Sequence, residues 1–510
     1  MTAGVAVGPR ESTERRGGMA EVLGIALAVA VMHLLTNGRY GFHRDELQFL
    51  SNARHLEWGF VAVPPFTPAI ERVSLAIFGV SLVGLRLFSV IAQFFVVVLS
   101  GLMARELGGG RLAQAAAALA VALSPLPMFQ GTEFQYGSFD LLWWVLIAYC
   151  AIRLLKTENP RWWLAIGAAT GVALETKYTV CFFIAGLLLG MAATRARRWF
   201  RSGWFWAGTA LALLIFLPNL IWQAQHHFIT LTFLEFIHKR DVGEGRAAGY
   251  WAGQFMANAN LFAAPLWIAG VVTYLCSARY RMLAWMYLAP LAIFAATRAR
   301  FYYLAPAYPM LIAMGAVACA AWTARWRPVW RRTAWGALLV GLVGYGAYTT
   351  AEIVPLAPSG PLRNFALNNN GDLREEIGWH SLVREVAAVR DGMTPRERAS
   401  YGVIVGNYGE EGALEFFGPA YGLPTPISTT NSAWYWSYPK NPPQTLIVVG
   451  VGQADLHAVF AAFATCRLAG HDGNPEGVKN EESQHHPDIL VCSGLKMPWP
   501  VLWKKYRSFG

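Results

Sequence analysis

A chain of 510 residues that is 55% hydrophobic and only 14% charged is too apolar for an ordinary soluble protein, and it reads as a polytopic α-helical membrane protein. Its formal charge of +11 raises the prospect of nucleic acid, but the basic residues sit in short clusters between apolar runs and not on one soluble face. No nucleic-acid partner is expected, and the cytoplasmic leaflet is the natural counterpart of that charge.

Residues 1–18, with Arg10, Arg15 and Arg16, read as a cytoplasmic N-terminus ahead of a first apolar run at about 19–35. A retained signal-anchor suits this pattern better than a cleaved signal peptide, because many later spans need a fixed starting orientation. The stretch 41–59 then emerges outside, carrying the densest cluster of ionisable groups in the first third of the chain. Phe42, Phe49, Leu50 and Leu56 fall at roughly helical spacing, which predicts an amphipathic helix along a membrane face with Asp45 and Glu46 in its first turn. Acids at that position also serve simply to complement the helix dipole.

A second amphipathic segment is expected at 64–79, and Arg86 opens a span to about 104. Spans at about 112–127 and 141–155 enclose a short outside loop in which Glu133 and Asp140 flank Gln135 and Tyr136 and read as solvated acids. The stretch 162–193 has Glu175-Thr-Lys177 in its middle. The positive-inside rule divides it there into two short spans, which keeps the basic cluster Arg195 to Arg201 inside. A span at 204–222 leads to a second external loop, 223–250, holding His226, His227, His238, Lys239, Arg240 and Asp241. Spans near 252–276 and 282–296, one opening at the Arg298–Pro306 turn, and a last at 334–350 bring the expectation to about 11 crossings. The tail is then outside.

From 354 the composition turns polar and predicts a small α/β domain, with strands at 401–405, 445–451 and 488–491 and a helix at 454–463. Gly450-Val-Gly452-Gln-Ala-Asp455 reads as a strand-to-helix turn, since Asp455 stands where a dinucleotide fingerprint needs its third Gly. Cys150, Cys181, Cys276 and Cys319 lie in spans as small apolar fillers. Cys466 and Cys492 lie in the tail, where export would let them form a disulfide worth about 3 kcal/mol, although spacing does not fix the pairing.

Several runs together resemble one family. They are Phe42-His-Arg-Asp45-Glu46-Leu, Arg54-His55 and Trp58-Gly59 before Pro64-Pro65; Leu174-Glu-Thr-Lys177-Tyr-Thr179; and Arg298-Ala-Arg300-Phe-Tyr-Tyr303 with Pro306, Tyr308 and Pro309. The tail stretches Asn407–Gly422 and Asn431–Trp436 add to them. The chain resembles bacterial glycosyltransferases of the protein O-mannosyltransferase and aminoarabinose transferase superfamily, family 39 of the C-type fold. Many relatives carry His before the paired prolines, whereas this chain has Val63.

The resemblance implies a membrane glycosyltransferase domain at 19–353 with a catalytic external loop at 37–86, and an extracytoplasmic α/β domain at 354–510. It implies transfer of a sugar from a polyprenyl-phosphate donor, among membrane lipids of a bacterial plasma (inner) membrane, to a glycan, lipid or protein acceptor. Asp45 would be the base. Glu46, Glu133 and Asp140 would be secondary polar groups towards sugar or acceptor, and Lys177, Arg300, Tyr303 and Arg86 would meet the donor phosphate. Their own chemistry leaves Lys177 also readable as a lysine snorkelling to headgroups, and Arg300 and Tyr303 as part of an interfacial belt. The histidines lack a ligand pattern, so no metal is assigned and no cofactor is expected with certainty; a divalent cation at the loop acids stays open. The competing class is a transporter or flippase for a lipid-linked glycan. Such a protein would gather polar residues near mid-membrane between repeated halves, whereas here no repeat is evident and the polar residues lie at one face.

Overall fold

The computed structural model describes residues 17–452, 456–474 and 476–510; Arg10, Arg15, Arg16 and Asp455 lie outside the described residues. Two compact units emerge. One contains Asn37 and the described residues before it, Arg86–Trp222 and His238–Val354; the other contains Gly38–Leu85, Gln223–Ile237 and Pro355–Gly510.

Among the described residues, five helices are long and apolar enough to cross a membrane: Met19–Thr36, Leu82–Glu106, Tyr136–Thr157, Gly203–Gln225 and Phe301–Thr323. The number rises to eight if each of three bent helix pairs counts as one span. These eight coincide with eight of the expected crossings. The other three expected crossings fall on Trp162–Leu174 and Arg281–Ala296, which are apolar but short, and on Pro328–Ile353, whose glycines, tyrosines and threonines dilute its apolar run. Leu174 and Val180 bound a break in the helix, at the Glu175 to Lys177 position read from the sequence.

The first unit packs around a core in which Trp144 stacks on Phe183 with ring centroids 4.4 Å apart. Small residues let its helices approach closely, as expected of membrane bundles. Gly270 lies against the backbone of Leu311, and Gly315 against that of Leu266, so a side chain at either position would force Ala264–Cys276 away from Tyr308–Thr323.

The second unit is built on a five-stranded mixed sheet: β1 (Tyr401–Val405), β2 (Ile427–Ser428), β3 (Thr445–Val449), β4 (Phe463–His471) and β5 (Asp488–Leu495), in the order β2-β1-β3-β5-β4. β1 runs parallel to β2 and β3, and β5 runs antiparallel to β3 and β4. β3 stops two residues short of the expected strand, where Gly450 takes a positive φ of 74°. β4 was not expected from the sequence, because its edge position leaves most of its side chains out of the core and erases the apolar pattern. Cys466 on β4 faces Cys492 on β5 in register, and the two are bonded.

Val403, Val405, Ile447, Val449 and Val491 on one sheet face pack against Leu382, Val383 and Val386 of the helix Trp379–Asp391 and Ala413 and Leu414 of Tyr408–Phe417. Leu47 and Leu50 complete the same core. They belong to the helix Arg44–Arg54, in which every residue from Glu46 to Ala53 is buried. That helix was expected along a membrane face; instead its apolar side meets the tail. It also ends at Arg54, which leaves Leu56 beyond the helix and 45% exposed. Of the loop expected at 37–86 within the membrane domain, residues 38–85 therefore cluster with the tail, and polar contacts follow the same division. Arg39 donates to Pro355 O (3.0 Å), Tyr40 Oη to Ala357 O (3.0 Å), Ser51 Oγ to Glu411 Oε1 (2.9 Å) and the Val61 amide to Ser432 Oγ (2.8 Å).

The disulfide closes a loop across 26 residues of sequence, and its replacement by serines at 466 and 492 should lower the stability of the tail by about 3 kcal/mol. Denaturant melts of the two proteins, followed by the fluorescence of the tail's tryptophans, would measure the loss.

Glu411 gives a pH test of the same unit. Burial first, then repulsion from Glu415, pushes its carboxyl from the ordinary 4.5 to about 8, against the Ser51 hydrogen bond. A raised acid contributes stability that is complete below its unfolded value and lost as pH rises through its folded value. Glu411→Gln keeps an acceptor for Ser51 and removes the ionisation. Thermal melts from about pH 5 to pH 8 should fall less steeply for this variant than for the native protein; identical slopes would mean that Glu411 ionises without cost.

Candidate functional site

The nominated residues fall into separate groups. In the second unit, His43 caps the helix Arg44–Arg54: its Nδ1 accepts from the Asp45 amide (3.2 Å), and Glu46 Oε2 accepts from the His43 amide (2.8 Å), closing a capping box. Glu46 is buried in that role. Asp45 is half-exposed, and its Oδ1 accepts from the Tyr408 hydroxyl at 3.0 Å. Arg44 lies over the Tyr408 ring, 5.5 Å from its centroid, and forms an ion pair with Glu481. The Glu481 amide in turn donates to Glu375 Oε1 at 3.1 Å. Burial, opposed by Arg44, raises the Glu375 carboxyl to about 7.

In the first unit, Lys177 stands in the break that ends Trp162–Leu174, with its amide on Ala173 O (2.8 Å). Its Nζ lies 4.0 Å from Asp140 Oδ2 and 4.8 Å from the ring centroids of both Tyr136 and Tyr303, with Tyr302 at 5.8 Å. Asp140 also accepts from Thr179 Oγ1 (3.2 Å). Glu133 accepts from Gln135 Nε2 at 2.6 Å. Glu133 and Asp140, read above as solvated, are 1% and 2% exposed. Asp140 is buried because it lies inside the first turns of Tyr136–Thr157, among packed helices and not in a loop.

Arg300 ends a turn in which Arg298 takes a positive φ of 52°. The next carbonyl, of Phe301, is held by Asn258 Nδ2 (2.8 Å) and Gln254 Nε2 (3.2 Å), which fixes the Tyr302 and Tyr303 backbone. The guanidinium grips Asp241 with two hydrogen bonds of 2.6 Å, Nε to Oδ2 and Nη2 to Oδ1, and donates from Nη1 to Tyr302 Oη at 2.8 Å. Asp140, Lys177, Tyr303 and Arg300 are thereby linked through the Tyr302 and Tyr303 rings. Arg86, fully buried, meets the Asn37 carbonyl at 3.2 Å. Among the described residues, no three His, Cys, Asp or Glu side chains group as metal ligands.

Three participants were not nominated from the sequence. Asp241 follows Lys239-Arg240 and reads there as one of several solvated loop charges; Tyr302 is masked by its neighbour Tyr303; and Tyr408 lies more than 360 residues from Asp45.

The Arg300–Asp241 pair is charge-assisted and bidentate, with side chains 21% and 8% exposed, so its loss should cost about 2 kcal/mol. In Asp241→Asn the turn at 298–303 should open. Faster tryptic cleavage after Arg298 and Arg300, with a lowered melting temperature, would report it; native-like cleavage would show that Gln254 and Asn258 suffice.

Comparison with known proteins places the chain among its relatives. Residues 62–222 match the family described as dolichyl-phosphate-mannose-protein mannosyltransferase, a segment holding Arg86, Glu133, Asp140 and Lys177 but not Asp45, Arg300 or Tyr303. The chain is 27% identical over 283 residues to the lipid A galacturonosyltransferase RgtD of Rhizobium johnstonii; the match covers 53% of this chain and 58% of that relative, so it spans little more than half of the relative's length. The crystal structure of ArnT from Cupriavidus metallidurans bound to undecaprenyl phosphate superimposes with a TM-score of 0.55 and 16% identity over 92% of this chain and 97% of that one. The arabinofuranosyltransferase AftD from Mycobacteria gives a TM-score of 0.52 and 14% identity over 96% of this chain and 40% of that one. At those identities the two structures speak for the fold alone. The chain has the C-type membrane fold and resembles, in sequence as in fold, the glycosyltransferases of the protein O-mannosyltransferase and aminoarabinose transferase superfamily.

Proposed function

We propose that this protein is an integral-membrane glycosyltransferase that takes a sugar from a polyprenyl-phosphate carrier at the outer side of a bacterial plasma membrane and passes it to a hydroxyl group, foremost that of a lipid. The observation that carries the reading is Lys177: a cation set among three tyrosine rings, with its carboxylate partner as far as 4.0 Å away, in a chain of this fold. An ammonium so held has hydrogen-bonding capacity left for phosphate oxygens. The named ligand of the ArnT structure, undecaprenyl phosphate, and the lipid A named for the relative RgtD support a lipid-linked donor and a lipid acceptor. A disulfide in the tail supports an oxidising compartment for it.

In this reading the Asp45 carboxylate accepts the proton of the acceptor hydroxyl as its oxygen attacks the anomeric carbon. The bond from that carbon to the phosphate oxygen breaks, its electron pair leaves with the polyprenyl phosphate, and the anomeric configuration inverts. Lys177 and Tyr303 stabilise the phosphate charge, with Asp140 orienting the ammonium. Arg300 holds the turn that carries Tyr302 and Tyr303, since its fork is engaged by Asp241. Glu46 serves the helix cap that presents Asp45.

Transfer of labelled sugar from a panel of polyprenyl-phosphate sugars, in membranes carrying the native protein or Asp45→Asn, tests the proposal. Label should reach an extractable lipid only with the native protein. Near-normal transfer by Asp45→Asn would remove Asp45 from the chemistry, and no transfer from any donor would sink the reading itself.

A further inference from the structure

We propose that Tyr408 is a positioning residue for the Asp45 carboxylate, so that the tail helix Tyr408–Phe417 forms part of the machinery of transfer. The inference rests on the reading of Asp45 as the base. Its ground is geometric. The Tyr408 hydroxyl donates to Asp45 Oδ1 at 3.0 Å from a side chain that is 9% exposed. Asp45 Oδ2 has no hydrogen-bond partner among the described residues. A half-exposed carboxylate held by no donor would sample several rotamers; one buried donor on Oδ1 fixes its plane and leaves Oδ2 as the oxygen that faces an acceptor.

Tyr408 is itself held from several sides. It opens its helix directly after Asn407, whose side chain accepts from the Glu410 amide at 3.0 Å and fixes the first turn. Gly409 sits against Trp379 and the Arg44 side chain, and Gly412 against the Leu47 backbone, so the helix lies close on Arg44–Arg54. The Arg44 guanidinium covers the phenol ring and is tied to Glu481, which leans on Glu375. The charged groups facing Asp45 are thus Arg44 on its own helix and, beyond Tyr408, Glu481 and Glu375, with Glu46 turned into the cap.

The experiment is steady-state transfer by the full-length protein as native, Tyr408→Phe and Asp45→Asn, across a pH series. Tyr408→Phe keeps the buried ring and removes one donor. It should lower kcat roughly tenfold, the worth of one hydrogen bond to a charged group, with the donor KM unchanged. The acid limb of the rate profile should move, because the donor bonded to the base is gone. With 3-fluorotyrosine at position 408, a stronger donor, it should move the opposite way. An inactive Asp45→Asn beside a Tyr408→Phe with the native profile would overturn the positioning role and leave the base in place. A lowered kcat with an unmoved acid limb would overturn it too, as a structural effect. Activity in Asp45→Asn would instead strike the reading on which the inference stands.

Discussion

The apolar side of the helix Arg44–Arg54 has to be buried, and the tail's sheet supplies its cover. An isolated helix of 11 residues is marginal in water, so this one depends on its packing. Leu47 and Leu50, 0% and 2% exposed, each contribute on the order of 1.5–3 kcal/mol by leaving water, and they do so against Ala413, Leu414 and the strands behind them. Rotation of the helix would expose those leucines and drive Arg44 and Asp45 into the core. The aim of the Asp45 side chain is therefore set by hydrophobic packing several residues away.

That constraint explains the sequence of contacts along the second unit. Arg39 and Tyr40 hold the start of the tail, Arg44 and Asp45 hold Glu481 and Tyr408, Ser51 holds Glu411, and Val61 holds Ser432. Residues 38–85 and those from 355 onward belong to one compact unit, although most of the first unit's sequence, 86–222 and 238–354, lies between them. Such pairing carries a loop-closure cost that grows only slowly with length, so a large intervening unit is tolerated.

Much of this was legible in the sequence. Apolar runs and basic clusters place a helix at each expected crossing, and the helix break at Glu175 to Lys177 follows from the charge rule. β1, β3 and β5 announce themselves as short β-branched runs. What the sequence conceals is which partner an amphipathic face chooses. Phe49 and Leu50 have the same spacing whether they meet lipid or protein, so the pattern predicts burial without naming the cover. Likewise, an acid a turn inside a span and an acid in a loop look alike, which is why Asp140 reads as solvated until its helix is seen. Tyr408 and Asp241 give no local signal at all, because their roles arise from neighbours distant in sequence.

Arg300 and Lys177, both in the first unit, differ in how firmly they are held. Arg300 spends both arms of its fork on Asp241 and a further donor on Tyr302, an arrangement in which an arriving phosphate would have to displace two charge-assisted bonds of 2.6 Å. Lys177 has a looser carboxylate at 4.0 Å, and its charge is spread over the faces of tyrosines, a weaker interaction that costs less to exchange. On the proposed reading, a lipid phosphate that arrives carrying a sugar and leaves without it needs the second kind of partner. Tight pairing at Arg300 gives the turn its shape, and loose pairing at Lys177 leaves a charge to be shared. On the proposed reading, the division of labour between the two follows from how firmly each is already held.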